Sequence, residues 1–196
     1  MRRRAFFRCL SSIALLLALG QANAAPADFG TDLHGQPVHE LAGPGVRVVV
    51  LVFAASDCPI SNRYIPEIVR LKNEFSARAV RFWWVYPNGG DSAAIVDQHN
   101  RDFSITGGAL LDAKQTLVAM AHATVTPESA VFVVEGTQLR EVYHGRIDDR
   151  YLDIGQERPK AQHHDLEAAI NAALDGKPVP QPGGPPVGCS IVFLQK

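Results

Sequence analysis

The chain has 196 residues, with 19 Lys and Arg against 20 Asp and Glu and a formal net charge of −1. It carries no basic tract of the kind that tracks phosphates, which argues against a nucleic acid partner. It also has neither a dinucleotide fingerprint nor a phosphate-cradling loop, so no organic cofactor is expected.

The first residues read as an address. Arg2, Arg3, Arg4 and Arg8 precede a short apolar run from Ile13 to Leu19, and Ala22-Asn23-Ala24 places small residues at the cleavage-site spacing. A bilayer span needs about 20 apolar residues, so residues 1–24 are read as a signal peptide, and the mature chain is expected in the periplasm without stable membrane insertion. Arg3-Arg4-Ala5-Phe6-Phe7-Arg8 looks like a twin-arginine signal with Arg2 in place of the usual Ser or Thr, so the export route stays open. Removal of the signal leaves 15 basic against 20 acidic residues, a formal charge of −5. Cys9 departs with it, and Cys58 and Cys189 enter a compartment that permits disulfides.

In chain order, Phe29 to Leu41 suggests a small hairpin around Gly35-Gln36-Pro37. Val46 to Ala54 is an unbroken apolar run, the pattern of a strand buried on both faces. Pro59 suits a first helical turn. Tyr64, Ile65, Ile68, Val69, Leu71 and Phe75 then recur at helical spacing, with a kink expected at Pro66. Val80 to Tyr86 is a second buried strand, whose adjacent Trp83 and Trp84 must point to opposite, covered faces. A helix over Ser92 to Phe103 follows, with Asp91 or Ser92 as its cap, then a short strand over Ala109 to Leu111 and a short helix over Gln115 to Ala123. Ala130 to Val134 and Leu139 to Tyr143 read as a hairpin across Gly136-Thr137, and Asp165 to Leu174 as a last amphipathic helix. The pattern predicts an α/β fold, a central mixed sheet with helices on both faces. Residues 25–176 form one domain, and 177–196 a Pro/Gly-rich linker and cysteine-containing tail.

Cys58 falls between a buried strand and a helix start, beside unpaired N–H groups and the positive end of the helix dipole. Such surroundings favour thiolate, lowering the free thiol's pKa from about 8.5 to roughly 3.5 to 7.5. The thiolate is the form that attacks disulfides and peroxides. Cys58 is therefore the candidate nucleophile.

The segment Phe53-Ala54-Ala55-Ser56-Asp57-Cys58-Pro59-Ile60-Ser61, with Pro66 beyond it, resembles the active-site region of exported thioredoxin-like reductases. Asp57 to Tyr64 and Gly145 to Arg150 are similar to redoxin-domain proteins related to the alkyl hydroperoxide reductase/thiol-specific antioxidant family. The resemblance implies a thioredoxin-like fold, and implies that Thr126-Pro127 forms the cis-proline turn that packs against the active cysteine and offers backbone to a substrate. It also places Ser61 where the family's second cysteine stands, which leaves a C-x-x-S variant whose hydroxyl is able to bond the thiolate but not to resolve an adduct. Ala55 occupies the position where typical peroxiredoxins carry Thr or Ser.

The missing partner is then sought in Cys189. The 12 residues from Lys177 to Gly188 span roughly 40 Å when extended, against a radius of gyration of about 15 Å for such a domain. The same cysteine also suits a structural staple, a link to another chain or a metal ligand. The apolar Ile191-Val192-Phe193-Leu194 suggests that the tail docks, with an added strand as one form. Arg146, Asp148, Asp149 and Arg150 read as a solvated, salt-bridged turn.

These residues point to thiol-disulfide exchange or a related peroxide-reducing, antioxidant activity. Cys58 is its nucleophile, Cys189 its resolver, and Ser61, Thr126 and Pro127 the surrounding site. The expected substrates are an oxidised thiol protein, a small disulfide or a peroxide, and the electron donor is unknown. One alternative is a copper module of the same fold, with Cu(I) held by Cys58, Cys189 and one of His99, His122, His144, His163 or His164. Another is a non-catalytic interaction domain.

Overall fold

A computed structural model describes residues 27–195. The expected signal peptide and Cys9 lie outside the described residues. The elements in chain order are β1 (Val48–Phe53), α1 (Pro59–Phe75), β2 (Val80–Tyr86), α2 (Ala93–Asp102), β3 (Gly108–Leu111), α3 (Thr116–Ala121) and β4 (Val125–Thr126). They continue with β5 (Glu128–Glu135), β6 (Gln138–Gly145), β7 (Tyr151–Asp153), β8 (Gln156–Glu157), α4 (Asp165–Asp175) and β9 (Cys189–Ser190).

The all-apolar β1 is buried at every residue because it sits at the centre of a five-stranded mixed sheet ordered β3-β2-β1-β5-β6. It runs parallel to β2 and antiparallel to β5. Alternation along the strands divides the core in two. Val48, Val50, Val52 and Trp84 face Ile65, Ile68 and Leu71 of α1 and Leu166 and Ile170 of α4, whereas Val49, Leu51, Phe53 and Trp83 face Leu117, Val118 and Ala121 of α3. Both faces are covered, as the adjacent tryptophans require. Among the described residues no helix is long and apolar enough to cross a membrane.

Helix α1 runs without a break through Pro66. Ser92, not Asp91, caps α2, accepting the Ile95 N–H. The expected N-terminal hairpin shrinks to single bridges from Thr31 to Pro37 and Leu111, because the Asp32 carboxylate gathers the His34 and Gln36 N–H groups into a tight turn.

The segment read as a solvated turn is the main correction. Ile147, Asp148 and Asp149 are 2%, 5% and 3% exposed. Their burial is compensated by bonds to parts of the chain that composition did not reveal. Asp148 accepts the Tyr64 hydroxyl and the Arg150 N–H, and Asp149 accepts the Gln162 and His163 N–H groups. Arg146 pairs with Asp165, their side chains only 14% and 10% exposed. Together they anchor the β7–β8 hairpin, which the sequence reading did not anticipate.

Residues 177–188 contain no helix or strand, yet they are held against the domain. Val179 and Val187 pack on the first core, and the Asp165 carboxylate accepts the Gly183 N–H.

Candidate active site

Strand β1 ends against the first turn of α1, and Cys58 is the residue between them that caps the helix. Its backbone is extended (φ −86°, ψ 113°), its carbonyl accepts the Asn62 N–H at 3.0 Å, and its Sγ accepts the Ser61 N–H at 3.4 Å. A helix N-terminus supplies donors that its own ladder leaves unused, and here the sulfur takes one. Pro59 lacks an N–H and needs no partner in the first turn.

Ser61 contributes differently from the expectation. Its hydroxyl accepts the Ala55 N–H at 3.4 Å, bracing the loop, while its backbone N–H contacts the sulfur. The hydroxyl itself makes no bond to Cys58 among the described residues.

The structure brings Thr126, Pro127 and Cys189 to the same point. The Thr126-Pro127 peptide bond is cis, and the Thr126 carbonyl oxygen lies 3.1 Å from Cys58 Sγ. In β4, Thr126 pairs in register with Cys189 of β9, and the Thr126 hydroxyl donates to the Cys189 carbonyl at 3.4 Å. Ile191 then enters the second core at 2% exposure, and its N–H bonds the Thr124 carbonyl. The tail thus docks as a two-residue added strand. Val192, Phe193 and Leu194 remain exposed, so Ile191 alone of the four buries its side chain, while backbone bonds tie Val192 to Asn88 and Gln115 and Leu194 to Gln115.

Docking places the Cα atoms of Cys58 and Cys189 6.1 Å apart, and the two residues form a disulfide. This separation lies within the usual range for such bonds. Cys58 is 1% exposed, whereas Cys189 is only partly buried.

A polar network missed by the sequence reading lies behind the loop. One Asp91 oxygen accepts both the N–H and the hydroxyl of Ser56, while the other is buried without a partner among the described residues. Asn62 donates to the Ser56 carbonyl and meets His99, which also contacts the Tyr86 hydroxyl. Burial raises the Asp91 carboxyl above its ordinary range, against the Ser56 bonds, and lowers His99. The only signal in the sequence was the pair of cap candidates Asp91 and Ser92, of which the unused one turned to the site.

Among the described residues no histidine completes a group with the two sulfurs within 4.8 Å. The ligand-type cluster that does form is Glu67, His164 and Glu167, whose carboxylates are already bonded by Arg70.

No family model matches the chain, and no curated protein matches it. Solved structures do. An uncharacterized conserved protein from Geobacillus kaustophilus is 25% identical, with a TM-score of 0.70 over 87% of this chain and 91% of that one. A hypothetical protein from Sinorhizobium meliloti is 22% identical, with a TM-score of 0.69 over 85% and 91%. A thiol-disulfide oxidoreductase from Bacteroides fragilis is 12% identical, with a TM-score of 0.50 over 62% and 89%. The fold is thioredoxin-like. Within it, the cysteine pair joins the start of α1 to a C-terminal tail instead of closing within one helical turn, since Ser61 occupies the third position after Cys58.

Proposed function

We propose that the chain is an exported thiol-disulfide oxidoreductase in which Cys58 and Cys189 cycle between dithiol and disulfide. The observation that carries this reading is the pairing of the helix-capping Cys58 with Cys189 beside the cis Thr126-Pro127 turn. In the reducing direction, the Cys58 thiolate attacks one sulfur of a substrate disulfide and expels the other as a thiolate, which takes up a proton. The Cys189 thiolate then attacks Cys58 Sγ, releasing the second substrate thiol and closing the internal bond. Ser61 steadies the attacking sulfur through its backbone N–H. Thr126 and Pro127 present backbone at the point of attack.

The same pair supports a peroxide reaction, in which Cys58 becomes a sulfenic acid as the peroxide is cleaved to an alcohol or water. Cys189 then condenses with it, losing water. That reading agrees with the sequence resemblance to the thiol-specific antioxidant group. No organic cofactor or metal enters either sequence of steps.

Reduction of insulin by the reduced protein, measured beside consumption of hydrogen peroxide, tests the assignment. Cys58→Ser is expected to abolish the active reaction. Cys189→Ser is expected to stop turnover after one covalent adduct at Cys58. Wild-type activity in Cys58→Ser would overturn the reading.

A further inference from the structure

The two cysteines of the closed pair are not equally exposed. Cys58 is 1% exposed, and its Sγ is enclosed by the Thr126 carbonyl at 3.1 Å and the Ser61 N–H at 3.4 Å. Cys189 is partly exposed and forms part of the wall of a surface cavity of about 460 Å³. Pro59, Ile60, Tyr151 and Ile154 supply an apolar lining, with Arg63 and Glu157 paired at 3.0 Å beside them. One side of this cavity is the start of α1 and the other is the β7–β8 hairpin, whose Ile154 is 72% exposed.

We infer that a thiol entering this cavity attacks Cys189 Sγ, and that Cys58 is the leaving sulfur when the internal disulfide is opened. The inference rests on the redox reading above and deepens it by assigning the electron-donor step. The incoming thiolate forms a bond to Cys189 Sγ, the Cys58–Cys189 bond breaks, and Cys58 leaves as a thiolate. A second thiol then displaces Cys189 and takes the first into an external disulfide. Two thiols are oxidised and one internal disulfide is reduced, so electrons and protons balance.

Exchange is governed by access to the attacked sulfur and by the stability of the departing thiolate. Both point the same way. Attack at Cys189 leaves the negative charge on the sulfur that caps α1 and receives the Ser61 N–H, where the helix terminus stabilises it. Attack at Cys58 would need entry past the cis-proline turn and would leave the charge on the tail. The lining favours a thiol flanked by apolar side chains, and the exposed cavity wall sets Cys189 as the docking point of the donor while Cys58 stays reserved for substrate.

The test treats the oxidised full-length mature protein with N-acetylcysteine, quenches in acid within seconds, alkylates free thiols and locates the adduct by peptide mass spectrometry. The mixed disulfide is expected on Cys189, with Cys58 alkylated, by at least about tenfold over the reverse. An adduct on Cys58, or equal labelling, would overturn the inference while leaving the redox reading standing. An internal disulfide that resists even excess dithiothreitol would overturn both. Ile154→Glu is expected to slow adduct formation by a cysteine peptide flanked by leucines at least threefold. An unchanged rate would remove the cavity from the donor path.

Discussion

Thr126 and Cys189 face each other in register across the β4–β9 bridge, so the residue whose carbonyl touches Cys58 is also the one that holds its disulfide partner. The turn and the tail are therefore one assembly, and disturbing either should be felt at the sulfur.

Gly188 tests that coupling most directly. A Cβ at this position would lie 2.2 Å from the Thr126 carbonyl oxygen and 3.1 Å from the Pro127 nitrogen, both backbone atoms that cannot swing aside. Gly188→Ala is expected to undock β9 and slow oxidative closure of the Cys58–Cys189 pair at least tenfold. Thiol counting during reoxidation by air or oxidised glutathione measures it.

Reduction should also cost stability. The bridge closes a loop with a sequence separation of 131, for which the chain-entropy treatment gives up to about 5 kcal/mol. Urea unfolding of oxidised and reduced protein is expected to differ by an amount approaching this value. Cys58→Ser and Cys189→Ser should both match the reduced wild type.

The Arg146–Asp165 pair secures the segment that leads to Cys189. Arg146 packs under Gly183 and Gly184, and Asp165 accepts the Gly183 N–H. Loss of a charge-assisted bond in a largely buried site costs about 2 kcal/mol. Arg146→Met is expected to destabilise the protein by that order and to make residues 177–188 more sensitive to protease under reducing conditions. Calorimetry and limited proteolysis read the two effects.

Asp91 should give the stability a pH dependence. Burial holds its carboxyl above the ordinary 3.8, opposed by its Ser56 bonds, with Asp57 raising it further and His99 lowering it. A carboxyl raised by folding contributes fully below 3.8 and loses that contribution as pH rises through its folded value. Asp91→Asn keeps an acceptor for Ser56 and removes the titration. It is expected to be more stable than the wild type at neutral pH, where the wild-type carboxyl must ionise in its buried site. The gap should close at acidic pH, as followed by denaturant midpoints across the range.

Much of the architecture was legible locally. Val80–Tyr86 emerges with the expected bounds because an apolar run with two adjacent tryptophans has only one way to bury both rings. The helix start at Cys58-Pro59 was equally plain, since proline tolerates the first turn and the preceding strand must end. Asp148 and Asp149 were illegible for the opposite reason. A carboxylate's default is solvent, and their compensating donors come from Tyr64, Gln162 and His163, which no local pattern connects to them. Asp91 was read only as one of two cap candidates for its own helix, because sequence distance hides Ser56, 35 positions away.

By itself the sequence determined the alternation of strands and helices, the two covered faces of the sheet and the location of a thiol at a helix start. These follow from side-chain period and backbone chemistry, which act over a few residues. Only the tertiary structure decided that the tail pairs with the cis-proline turn, that Cys189 reaches Cys58, and that one cysteine is buried while the other borders an open cavity. Those outcomes depend on how distant segments share a surface, and a single sequence leaves many such arrangements equally consistent with its local preferences.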